Sequence, residues 1–96
     1  MTRVWTHGVW TIRAGREDDF VAAWTELVPL GRGLGSGDPL LLRDRDRAST
    51  FRSFGSWPDL ETVERFREEL GSRPGMFESI VDGLETFTLD EVYPGD

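Results

Sequence analysis

The chain contains no cysteine and no lysine, and it has a single histidine, His7. Without cysteine there are no disulfides, no thiolate nucleophile and no Cys-ligated metal. With one histidine, only one side chain has an unperturbed pKa near neutrality. No run approaches the roughly 18 consecutive apolar residues that a membrane-spanning helix requires, and the N-terminus lacks the apolar core of a signal peptide. The formal net charge of −7 argues against a nucleic-acid or anionic-membrane partner. A soluble cytoplasmic protein is the expectation.

What is present is aromatic. Four Trp and six Phe are a heavy load for 96 residues. Such rings fill a core or line an apolar pocket. The length suits one domain spanning residues 1–96, near the lower limit of what one core supports, so a subunit partner would add needed burial.

Arg3 to Arg13 reads as a strand rich in β-branched and aromatic residues. Large apolar groups occupy both of its parities: Val4, Trp10 and Ile12 on one, Trp5 and Val9 on the other. Neither face therefore looks fully solvated, which is the first sign of a partner. Glu17-Asp18-Asp19 suits the positive end of a helix, whose stripe is Phe20, Val21, Ala23, Trp24, Leu27 and Val28; Pro29 is expected to close it. Gly31 to Pro39 is expected to be a mobile loop, serving as a linker or as a lid. Leu40 to Arg43 and Phe51 to Trp57 read as strands joined by the charged turn Asp44 to Arg47. Pro58 opens a helix with the stripe Leu60, Val63, Phe66 and Leu70, stopped by Gly71. After Pro74, the set Met76, Phe77, Ile80, Val81 and Leu84 predicts a further short helix, and Thr86 to Tyr93 a fourth strand. The order is β-α-β-β-α-β, the ferredoxin-like α+β pattern. Its second sheet face would be bare, and self-association would cover it.

Taken together, the AGRED turn, the FVAAW helix, the LLRDRD hairpin and FRSFGSWPDLETVERFRE make the chain resemble the antibiotic biosynthesis monooxygenase family over nearly its whole length. The resemblance implies a homodimeric α/β barrel with a pocket between each sheet and its helices. It also implies oxidation of an aromatic polyketide or quinol-type molecule by molecular oxygen, with no metal, flavin or haem. A non-catalytic ligand-binding or stress-response barrel, or an isomerase or cyclase, is the alternative on this fold. Carried over by position, Trp57 falls on the family's tryptophan at the end of the third strand, and Ser53 on its pocket asparagine. Val63 stands where the family has tyrosine. Arg65, Arg67 or Arg73 could supply its arginine. The asparagine of the haem-degrading branch falls near Gly8, and no histidine follows the helix, so haem is not expected.

Trp57, Ser53 and His7 are thus the candidate catalytic residues. His7 would be a general base, or an interface residue if Gly8 faces the helices, because its parity is that of Trp5 and Val9. Gly8 and Gly55 either clear space for a planar ligand or mark bends in the sheet. Trp10, Trp24, Phe54, Phe66 and Phe77 are candidate pocket walls as well as candidate core. GRGLGSG does not follow a strand, so it is not a nucleotide-binding fingerprint.

Overall fold

A computed structural model describes residues 3–73, 75 and 77–95. Its elements are β1 (Val4–Ile12), α1 (Glu17–Thr25), α2 (Val28–Gly33), β2 (Leu40–Arg43), β3 (Thr50–Trp57), α3 (Leu60–Gly71) and β4 (Val81–Asp90). The sheet is antiparallel in the order β2-β3-β1-β4, with the helices on one face, so the ferredoxin-like α+β fold is confirmed. No helix among the described residues is long and apolar enough to cross a membrane.

Strand alternation assigns the faces. On β1, Trp10 and Ile12 point toward the helices and pack with Phe20 of α1, Phe51 of β3 and Ile80. Phe20 is fully buried, and its ring lies 5.1 Å from both Trp10 and Phe51. At the other end of the same face, Trp57 packs its ring 4.7 Å from Phe66 of α3, in a region that also buries Leu27 and Val63. Two aromatic clusters thus hold the helices to the two ends of the sheet.

Three local expectations are corrected. Pro29 does not close a helix; it lies in the first turn of α2, where a missing N–H costs nothing. The Gly31–Pro39 segment is not a free loop either. It begins inside α2 and continues as a bonded turn, in which Ser36 N–H donates to Gly31 and Gly37 N–H to Ser56. The Arg3 guanidinium clamps it further, donating to the carbonyls of Gly35 and Ser56. Lastly, Val81 and Leu84 belong to β4 rather than to a helix. The nine-pair ladder of β4 on β1 captures them, leaving only a turn in which Ile80 and Val81 donate to Phe77. Met76, assigned to that helix, lies outside the described residues.

Asp59 caps α3, its carboxylate accepting from the Thr62 N–H at 2.8 Å and the Thr62 hydroxyl at 2.7 Å. These bonds, the hydroxyl's foremost, hold the carboxyl below the ordinary aspartate range. A lowered folded-state pKa gives stability that is complete above the unfolded value of about 3.9 and is lost as pH falls through the folded one. Asp59→Asn keeps an acceptor but cannot titrate. Its melting temperature should therefore drop less than the native protein's between about pH 5 and about pH 3. Thermal melts across that range test this, and parallel curves for the two proteins would refute it.

Candidate functional site

Between the two aromatic clusters the sheet carries glycine instead of side chains. Gly8 pairs with Ser53, and Thr6 with Gly55, across β1 and β3. Above these four residues lies a partly enclosed cavity of about 140 Å³ with mostly apolar walls. Trp10 and Trp57 stand at its two ends. Trp24, Leu27 and Val28 line it from the first helical layer, and Val63, Phe66 and Leu70 from α3. Gly31 lets α2 approach closely: a Cβ there would come within 3.4 Å of the Trp57 ring. Arg67, Leu84 and Thr86 also line the cavity but are exposed, so this side is its opening. Arg67 is held there by donating to the Thr88 hydroxyl at 3.0 Å.

The polar groups inside are few and paired. The Trp10 indole N–H donates to Ser53 Oγ at 2.9 Å, and the Trp57 indole N–H donates to Thr6 Oγ1 at 3.0 Å. Each buried indole thus has the acceptor it needs. Each hydroxyl accepts through one lone pair and keeps its own hydrogen, which no other hydrogen bond uses among the described residues. Among the described residues no carboxylate side chain lines the cavity. Among the described residues no three His, Asp or Glu side chains gather as a metal site.

The structure brings together Trp57, Ser53, Gly8, Trp10, Trp24 and Phe66. It does not bring His7 to them as a side chain. His7 stacks on Phe54, its cross-strand partner, at 4.5 Å and 11°, and lies 5.5 Å from Phe87. By parity all three rings occupy the opposite face, and the strands at His7 and Phe54 supply only the cavity floor. His7 thus lies on the outer sheet face, and Phe54 is corrected from pocket wall to that same face. Phe77 packs on Trp10 and Phe20 in the core instead of lining the cavity. Thr6 was not singled out from the sequence, although the repeat THGVW and SFGSW contains the signal. Arg67 emerges as the arginine at the cavity.

No protein-family model matches the chain, and no curated protein matches it. Solved structures do. SnoaB, a cofactor-independent oxygenase from Streptomyces nogalater, superposes with a TM-score of 0.75 at 16% identity, covering 94% of this chain and 93% of its own. A Nitrosomonas europaea protein assigned provisionally as an antibiotic biosynthesis monooxygenase gives 0.83 at 12%, covering 98% and 94%. PA3566 from Pseudomonas aeruginosa gives 0.79 at 18%, covering 96% of each chain. The chain therefore has the fold of the antibiotic biosynthesis monooxygenases. Function must be argued from the site.

The two glycines differ in how much room they leave. A Cβ on Gly8 would meet Ser53 Oγ and Trp10 Nε1 at 2.8 Å each, whereas one on Gly55 would meet Thr6 Oγ1 and Trp57 Nε1 at 3.3 Å. Gly8→Ala should break the Trp10–Ser53 bond and cost about 1–3 kcal/mol; Gly55→Ala should cost less and keep its bond. Urea melts and the indole N–H resonances test this. An equal cost at both positions would contradict the geometry.

Proposed function

We propose that the chain is a cofactor-independent oxygenase of a small quinol-type aromatic and works as a homodimer. The observation that carries this reading is the cavity, apolar and glycine-floored, with two hydroxyls whose hydrogens are unspent. A cavity near 150 Å³ takes a benzene-sized ring, and the one here is about 140 Å³. A one- or two-ring quinol is therefore favoured over a larger aromatic polyketide.

The electron count closes without a cofactor. In a quinol oxygenation, one oxygen atom enters the ring as a hydroxyl. The other leaves as water with the two hydrogens of the quinol oxygens. The ring supplies all four electrons, so no external reductant is required. Trp57 and Ser53 orient the substrate, while Trp10, Trp24 and Phe66 exclude water. Arg67 at the opening favours the ionised form of the substrate. Because neither carboxylate nor imidazole side chains of the described residues line the walls, the substrate's own acidity must provide the reactive anion. The absent base is also what favours the alternative, a non-catalytic barrel that binds the same ligand.

The outer sheet face supports the dimer. It carries the His7, Phe54 and Phe87 rings with Trp5 and Val9. Phe87 and Leu89 remain 43% and 44% exposed, and Leu40 and Leu42 54% and 49%. His7 Nε2 is buried there without a hydrogen-bond partner among the described residues. A contiguous apolar face of this kind marks an interaction surface.

Oxygen uptake with a panel of hydroquinones and anthrones tests the reaction. Ser53→Ala should lower kcat/KM about tenfold, the worth of one lost hydrogen bond. Trp57→Phe should lower it at least as far, and His7→Gln should leave turnover per site unchanged. The pH dependence should follow each substrate's own ionisation. Binding without turnover on any substrate would sink the oxygenase reading in favour of the binding protein. Sedimentation should give twice the 10.9 kDa chain mass, and Phe87→Arg should shift the equilibrium to monomer. A native monomer at micromolar concentration would overturn the dimer.

A further inference from the structure

Thr6-His7-Gly8-Val9-Trp10 and Ser53-Phe54-Gly55-Ser56-Trp57 share one pattern: a hydroxyl, a ring, a glycine, a variable residue and a tryptophan. The register sets Thr6 against Gly55, His7 against Phe54 and Gly8 against Ser53. A local two-fold axis therefore passes through the His7–Phe54 pair, perpendicular to the sheet. Each tryptophan lies over the glycine two residues before it and donates to the hydroxyl facing that glycine across the strands. The two indole–hydroxyl pairs are copies of one device, and each hydroxyl belongs to the opposite motif.

The symmetry has chemical content. A hydroxyl that accepts an indole N–H is polarised, so its own hydrogen becomes a better donor. Two such donors flank a flat floor that carries no side chain. Diagonal cross-strand neighbours on one face stand roughly 7 Å apart, a spacing commensurate with oxygens at opposite ends of a single six-membered ring. We propose that Thr6 and Ser53 act as paired donors to a planar ligand with acceptor oxygens on opposite edges, a 1,4-dicarbonyl or its oxyanion, lying in the cavity between the Trp10 and Trp57 rings. Thr6 is then a recognition residue equal in weight to Ser53. This rests on the cavity being the ligand site of the proposed oxygenase, and names the class of ligand it selects.

The experiment is a binding titration of the full chain, read from the indole N–H resonances of Trp10 and Trp57. The probes are 1,4-naphthoquinone, which carries both carbonyls, and naphthalene, which has the rings alone. With neither cysteine nor lysine in the chain, the quinone lacks its usual side-chain nucleophiles. Thr6→Val and Ser53→Ala should each weaken 1,4-naphthoquinone about five- to tenfold, the effect of one hydrogen bond, and change naphthalene less than about twofold. Thr6→Ser should restore the loss. A deficit confined to Ser53→Ala, or an equal loss for naphthalene, would overturn the proposal. So would failure of the native chain to bind the quinone.

Thr6→Val strands the Trp57 N–H and could unfold. Gly55→Ala then replaces it, since its Cβ would sit 3.3 Å from Thr6 Oγ1 and Trp57 Nε1, crowding the donor without removing it. Undiminished quinone affinity in that variant would overturn the pairing. Selective quinone binding without oxygen uptake would support the paired donors while removing the oxygenase reading, so the two failures are distinguishable.

Discussion

A protein interior normally fills to crystal-like density, so a cavity in a domain this small has to be built against that tendency. Here the constraint is the pair of reciprocal hydrogen bonds from Trp10 to Ser53 and from Trp57 to Thr6. Each fixes a large ring over its glycine at one end of the floor and stops it from collapsing into the space between them. Gly8 is indispensable for the same reason, because any Cβ there would strike both partners of its bond. The helical layers then close over an arrangement that β1 and β3 have already set.

The same two strands determine what happens on the reverse face. Alternation means that whatever separates the cavity residues must point outward, so His7 and Phe54 are obliged to stack between the cavity motifs on the far side. Phe87 joins them from β4. The result is an aromatic and aliphatic surface, bordered by Arg52 and Glu85 on either side of Val9, whose apolar part cannot be hydrated well. Cavity and outer face are thus two consequences of one pair of strands, and a second copy covering that face would also stiffen the cavity floor.

Much of this was legible in the chain. Apolar groups on both parities of the first strand announced a sheet wanted on both faces, and the split β-α-β-β-α-β order followed from where the strands and stripes fell. Trp57 was visible because it ends a strand and is followed at once by Pro58. The parity of Phe54 was equally available, since it is the parity of Arg52 and opposite to Ser53, but aromatic character suggested a wall. The segment from Phe77 to Leu84 misled for another reason: helical spacing is a local signal, whereas pairing with β1 is a long-range one, and nine pairs of ladder outweigh two apolar turns. Pro29 was read as a stop when it was a start, because proline is compatible with either side of a helix boundary. Thr6 was missed because a threonine in a strand carries no mark until its cross-strand glycine is known.

The composition of the cavity walls limits the chemistry available to it. A general base in the walls would let the protein ionise a weak acid; two hydroxyls and an arginine cannot. They can only stabilise an anion that the substrate forms on its own, and the overall negative charge of the chain offers no broad attraction for anions beyond Arg67 at the opening. In an oxygenase of the kind proposed, selection must therefore act on the substrate's acidity and on where its oxygens lie. A neutral hydrocarbon of the right size could fill the same space, yet it would leave both hydroxyl hydrogens unpaired in an apolar setting and so bind more weakly than a ligand that accepts from them. With the paired donors proposed, discrimination on this floor comes from the two hydrogens, and ring size decides only whether a ligand can enter.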